Sequence, residues 1–198
     1  GAFLWANGSM SALPMPVGTT QAYAYDISNS DHIAGVVAGP GPARPVVWRN
    51  GIVYPLPIPA WSRTGGASAV NDSGTVVGNY EINQYAGTSA AVAWYGGQRV
   101  ELGNLGGSSD YAIASDINNS GQIVGTSNSP NGYTGFLWSD GEMYDLRSIL
   151  LPGAPDMQIT SARAINDRGQ IAAAAIINGR TTAVLLTPVM DGTPAPAS

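Results

Sequence analysis

The chain repeats itself, and the repeat limits what it can fold into more than any single residue does. Two short motifs alternate along 198 residues. The first is an apolar triplet ending in Trp: Ala2-Phe-Leu-Trp5, Pro45-Val-Val-Trp48, Ala91-Val-Ala-Trp94 and Gly135-Phe-Leu-Trp138, with a degenerate fifth copy, Ala183-Val-Leu-Leu186. The key positions lie 43, 46, 44 and 48 residues apart. The second motif falls between them: Asp26-Ile-Ser-Asn-Ser-Asp-His-Ile-Ala-Gly35, Ala69-Val-Asn-Asp-Ser-Gly-Thr-Val-Val-Gly78, Asp116-Ile-Asn-Asn-Ser-Gly-Gln-Ile-Val-Gly125 and Ala164-Ile-Asn-Asp-Arg-Gly-Gln-Ile-Ala-Ala173. A fixed period of this length marks tandem supersecondary units that bury their apolar faces against one another.

Each motif reads as a hairpin. Asn-Asp-Ser-Gly and Asn-Asn-Ser-Gly supply turn residues, with Gly placed for a positive φ. Their flanks are short and β-branched, as strands are. Asn-Gly and Asp-Gly after the Trp strand are strong two-residue hairpin signals. No apolar helical period occurs, and Ser148 to Leu151 has room for one helical turn. Four short antiparallel strands per unit of about 45 residues predict an all-β, small β-propeller of about four or five four-stranded blades. The chain starts mid-unit and ends mid-unit, so pairing of N- and C-terminal strands is expected to close the ring and hide both edges. The repeat domain is then 1–187, and 188–198 reads as a Pro-rich flexible tail.

Composition removes much chemistry. There is no Cys, all 8 basic residues are Arg, and His32 is the one histidine. That excludes a thiol nucleophile, a Schiff-base lysine and a Cys-ligated or multi-histidine metal site within one chain. No metal or other cofactor is expected. The net charge is −5 and the basic residues do not cluster, which argues against nucleic-acid partners. No apolar run is long enough for a membrane span. Low charge with abundant Gly, Ser, Thr and Asn leans toward export, and Gly at position 1 fits a mature form or an excised segment.

The alternation Ala-x-x-Ile-Asn-x-x-Gly-x-Ile-Val-Gly, then Phe-Leu-Trp-x-x-Gly and a strand ending in Leu, resembles the HAF-type bacterial extracellular repeat. The unit from Asp116 to Leu146 carries the resemblance best, and Leu102-Gly-Asn-Leu-Gly-Gly107 resembles that family's connection between units. The resemblance covers roughly residues 2–187. It implies a secreted or surface-associated bacterial protein and brings no reaction or catalytic residue. Departures fall in the outer units: Ser28 and Asp31 for Asn and Gly, Ala172-Ala173 for Val-Gly, and Leu186 for Trp.

Candidate chemistry is weighed against packing. Trp5, Trp48, Trp94 and Trp138 recur at one strand position with β-branched neighbours, so they are expected to pack between units rather than stack on ligands. Asp116-x-Asn118-x-Ser120-Gly121 echoes the first half of a calcium loop, but Ser127 stands at the twelfth position, so an Asx-type turn is expected. His32 aligns with Thr75, Gln122 and Gln170 and reads as a solvated turn-flank residue. Glu81, Glu101, Glu142, Asp110, Asp145 and Asp156 give no distinctive acid pair. The loops carry the non-repeated residues, and function is added there. Trp61 and Arg63, Tyr85 with its Asn-Gln neighbours, and Tyr133 after Asn128-Ser-Pro-Asn-Gly combine aromatic rings with amides and Arg. These four residues are the expected ligand-binding set, suited to sugar rings and hydroxyls. The reading is a secreted or cell-surface, non-catalytic binding module for a glycan or surface polymer. The alternatives are a purely structural or adhesive module of a larger surface protein, and a polysaccharide hydrolase or lyase.

Overall fold

A computed structural model describes residues 1–82 and 88–189. It is all-β, with five antiparallel sheets in chain order. The first pairs β1 (Phe3–Ala6) with β2 (Ser9–Ala12). The second is β3 (Gln21–Ile27), β4 (Ile33–Ala38), β5 (Arg44–Arg49) and β6 (Ile52–Pro55). The third is β7 (Gly65–Val70), β8 (Val76–Glu81), β9 (Ser89–Tyr95) and β10 (Gln98–Gly103). The fourth is β11 (Ala112–Ile117), β12 (Ile123–Ser129), β13 (Gly132–Ser139) and β14 (Glu142–Asp145). The fifth is β15 (Gln158–Ile165), β16 (Ile171–Ile177) and β17 (Arg180–Leu186). A 3₁₀ turn, Leu146–Ile149, lies between the fourth and fifth sheets, two residues earlier than the sequence suggested. Among the described residues no helix is long and apolar enough to cross a membrane.

The expected turns form. Asn7-Gly8, Asn50-Gly51 and Asp140-Gly141, after the Trp strands, have positive φ at both central residues, the geometry that matches strand twist, and Asn178-Gly179, which the sequence motifs do not single out, does too. Closure does not occur. The terminal strands β1 and β17 do not pair: β1 joins only β2, and β17 joins only β16. The degenerate copy Ala183-Val-Leu-Leu186 takes the place beside β16 that the ring would have given to Phe3-Leu4-Trp5. The reason is proximity. The Asn178-Gly179 turn brings β17 back at once, whereas β1 lies more than 160 residues away and must pay a larger loop-closure entropy.

Among the described residues the core is divided rather than central. Four apolar clusters lie between successive sheets. One joins Ala34 and Val47 to Val76 and Trp94; the next joins Val77 and Ala93 to Ile123 and Phe136. A third joins Val124 to Ile159 and Ile171, and a fourth sets Leu4 and Leu13 against Val46 and Trp48. The inner strands are therefore covered on both faces. That explains why Ile33-Ala-Gly-Val-Val37 is buried throughout without the alternation of a one-sided strand. The first strands of the third, fourth and fifth sheets, β7, β11 and β15, each pack on the two middle strands of the sheet before, as β7 does on β4 and β5.

The turns of the second motif hold the sheets together at one end. Asn29, Asp72, Asn119 and Asp167 alternate amide and carboxylate, and they form a ladder. Asn29 donates its backbone N–H and its Nδ2 to the two oxygens of Asp72 at 2.7 and 3.1 Å. Asn119 does the same to Asp167 at 2.8 and 3.0 Å, and its Nδ2 also reaches Asp72 Oδ2 at 2.9 Å. A parallel row runs beside it: Asn71 Nδ2 donates to Asn118 O, and Asn118 Nδ2 to Asn166 O, both at 3.1 Å. Asn118 Oδ1 accepts the N–H groups of Ser120 and Gln122, which is the expected Asx-type turn. Among the described residues no three His, Cys, Asp or Glu side chains group to hold a metal ion.

The bulges repeat the alternation. Asp26 Oδ2 accepts the N–H of Val70, and Asp116 Oδ2 that of Ile165, each at 2.8 Å and each from the following sheet. The second and fourth units have Ala69 and Ala164 there. Burial raises the Asp116 carboxyl above its ordinary range, and the Asp26 charge adds to this, while the N–H groups of Ile165 and Ile117 oppose it. Asp72 is shifted the other way, lowered chiefly by the Asn29 side-chain hydrogen bond. The consequences differ in sign. The Asp72 contribution is present above its unfolded pKa and is lost as pH falls through the depressed folded value. The raised Asp116 makes folding tighter as pH falls toward its unfolded value. Asp116→Asn keeps an acceptor for Ile165. Its Tm, followed from neutral pH down to about pH 3, is expected to lose the upward drift that Asp116 contributes while keeping the acid-side fall. An unchanged profile would show that Asp116 does not titrate in the folded chain.

Candidate functional site

The opposite end of the sheets carries the irregular loops. Here the ends of β8 and β12 pair with the starts of β7 and β11, Gly65 with Tyr80 and Ala112 with Ser127. Trp61, Arg63 and Tyr133 all belong to this end, and the structure sorts them into two clusters.

The cluster at Tyr133 forms a polar cleft of about 430 Å³ between the fourth and fifth sheets. The β12–β13 turn builds one wall. Gly132 adopts φ 101°, which lets the chain reverse over Asn131, and Ser129 Oγ donates to Gly132 O at 2.9 Å. The turn leaves Tyr133 half exposed. Its ring is braced edge-on by Tyr111, with centroids 5.0 Å apart and planes at 75°. Burial pushes the Tyr111 hydroxyl up from its ordinary value. Behind Tyr133 sits the buried Thr134, whose hydroxyl lies 2.9 Å from Asp145 Oδ1 and 3.0 Å from Ile159 O. One hydroxyl proton serves only one of these acceptors at a time. Asp145 Oδ1 also caps the 3₁₀ turn, accepting the N–H of Arg147 at 2.9 Å. The carboxylate is thus fixed through one oxygen. Its Oδ2 takes no hydrogen bond from the described residues. Arg147 reaches Asp156 at 3.1 Å through an exposed pair, which is a weak restraint. Gln158, from the start of β15, completes the lining.

The second cluster is built on Tyr80, buried at the end of β8. Its hydroxyl donates to Glu101 Oε1 at 2.5 Å, and Arg99 lies over its ring at 5.4 Å. Burial first, and the Glu101 hydrogen bond second, push this hydroxyl up to about 12, so it stays protonated. Trp61 packs edge-on against Tyr80 with centroids 5.8 Å apart, yet remains 60% exposed. Arg63 is exposed beside it in sequence. Tyr85 lies outside the described residues. Trp61 and Tyr133 therefore do not share a ring contact; each has its own aromatic base.

No family model matches the chain, and no curated protein matches it.

The recurring Trp residues divide. Trp48 and Trp94 are buried between sheets, as expected, and each indole N–H donates to a carbonyl of the preceding connection: Pro14 O at 2.7 Å and Pro57 O at 2.8 Å. Trp138 is partly buried, and Trp5 is 62% exposed on the terminal hairpin. His32 is half-buried rather than solvated. Its Nδ1 is 3.5 Å from Ser28 Oγ, and its ring packs on Gly74 of the next turn. Sequence reasoning singled out Tyr133, named Asp145 only among the scattered acids, and missed Thr134 and Gln158. Thr134, Asp145 and Gln158 come from three strands, and no local motif links them. Asp145 had one signal, its place just before the recurring Leu.

Proposed function

We propose that the chain is a secreted or cell-surface binding module, built of HAF-type repeat units as an open series of propeller-like blades, that recognises a glycan or surface polymer at the Tyr133 cleft. The observation that carries this reading is the pairing of a braced, half-exposed aromatic face with fixed hydrogen-bonding groups in one polar recess. A sugar ring offers an apolar C–H face and a rim of hydroxyls. The first suits the ring of Tyr133, and the second suits Asn131, Gln158, Asp145 and Arg147. Asp145 is the one carboxylate lining the cleft, so it carries no acid pair of the glycosidase kind. Trp61 on its Tyr80 base offers a second stacking platform for an extended polymer.

The test is a glycan array with release of reducing sugar followed in the same wells. Binding without turnover is expected. Tyr133→Ala and Gln158→Ala, both at the exposed rim, are expected to weaken it at least about tenfold, the scale of one lost stacking or hydrogen-bonding contact. Turnover would move the hydrolase or lyase reading to first place. A silent array would favour the adhesive module, for which the exposed Phe3, Trp5 and Met10 of the terminal hairpin speak.

A further inference from the structure

One register position recurs in four sheets. Trp48 faces Ile33, Trp94 faces Val76, Trp138 faces Ile123 and Leu186 faces Ile171. At Trp48 and Trp94 an indole is packed against the connection that precedes its own sheet and donates to a carbonyl there. The fifth sheet has the same arrangement without the indole. Leu186 is smaller and has no donor, while the connection in front of it, from Leu146 to Met157, is longer and bears a 3₁₀ turn. Between them is a cavity of about 720 Å³. Leu150, Ile171 and Leu186 supply apolar wall; Gln122, Asp167 and Arg168 supply polar groups.

We propose that this cavity is a binding site for a fused-ring aromatic molecule of at least indole size that carries an N–H or O–H donor. The second and third sheets show what the position accommodates: a buried, flat, bicyclic ring with one donor. The volume falls within the range of small-molecule pockets, roughly 300–1,000 Å³. The acceptors are held in place before any ligand arrives. Gln122 Oε1 takes Asn118 Nδ2 at 2.8 Å, and Asp167 is held by both N–H groups of Asn119. Each of these oxygens keeps a further lone pair for a ligand donor. The cavity shares no lining residue with the Tyr133 cleft, so the two sites stand or fall separately.

The experiment is a titration of the methyl-labelled full chain with indole, read by NMR. Saturable shifts of the Leu150, Ile171 and Leu186 methyls are expected, with half-saturation at about 1 mM or below for a ligand of this size. Leu186→Trp is expected to fill the cavity from within, raise the Tm and weaken indole at least about tenfold. Ala154→Trp, on the exposed connection, fills it from the other wall and is expected to weaken indole similarly even if the first variant folds poorly. Absence of saturable shifts at these methyls, or shifts that persist in both variants, would overturn the assignment. So would self-association that masks the shifts and is relieved by Trp5→Ala, which would give the cavity to the exposed Trp5 of a second copy.

Discussion

Trp94→Ala is expected to cost about 3–5 kcal/mol of folding stability, the usual range for emptying a buried tryptophan site. Trp94 is only 1% exposed and packs in the cluster that joins the second and third sheets. Removing it leaves a void between the sheets and strips Pro57 O of its donor. Trp94→Phe restores much of the area without the donor, so its cost is expected to be smaller, with about 1–3 kcal/mol of it owed to the unpaired carbonyl. The informative comparison is Trp5→Ala. It changes the same motif residue, yet Trp5 is mostly exposed, and the expected cost is about 0.5 kcal/mol or less. Denaturant unfolding of the three variants checks the ranking. Equal losses at Trp5 and Trp94 would show that burial between sheets is not what the motif tryptophan contributes.

Gly125→Ala has the second large expected effect. A Cβ on Gly125 would stand 2.0 Å from Ile113 O and 2.8 Å from the Phe136 ring. The carbonyl belongs to backbone at a bulged strand, where the register shifts between Ala114 and Asp116, so it cannot rotate away as a side chain could. Gly35 and Gly78 meet the same constraint, with Tyr23 O and Gly66 O each 2.0 Å from the added carbon. The fifth sheet shows how the clash is avoided. It has Ala173 at this position and carries an additional register shift between Ile159 and Ser161. Without that adjustment Gly125→Ala is expected to cost about 3 kcal/mol, near the upper end for overpacking. For a chain of this length that is a Tm loss of roughly 6–12 °C. Gly141→Ala is the control. Its φ is 90°, but nothing lies within 4 Å of the added carbon, so only the backbone penalty of about 1 kcal/mol is expected. A Gly125→Ala variant no less stable than Gly141→Ala would refute the close approach.

The local features of the fold were legible because they are decided locally. Asn50-Gly51 and Asp140-Gly141 set their own turns, and the strands on either side follow. Ring closure was a competition between β1 and β17 for one edge of β16. Nothing in the residues of either strand reports the entropy that decides it. The ladder was half legible. Asn-Asp-Ser-Gly announces a turn, but the change from Asn119 to Asp167 gains meaning only when the two lie side by side and one donates to both oxygens of the other. The same holds for the site. Tyr133 stands out as an aromatic residue in a non-repeated loop, whereas Gln158 is an ordinary strand residue until β15 brings it to the cleft. Trp61 was found without its base, because Tyr80 looks like one more apolar residue of a buried strand.

We propose that the two ends of the sheets divide the work: the amide–carboxylate ladder holds the units together, and the loop end binds the polymer. The most direct measurement is an amide-resolved NMR titration of the full chain with mixed oligosaccharides from bacterial surface polymers. Saturable shifts at Asn131, Tyr133, Asp145 and Gln158, with Asn29, Asp72, Asn119 and Asp167 unmoved, are the predicted result. Shifts centred on the ladder turns, or none at the cleft with any oligosaccharide, would contradict it.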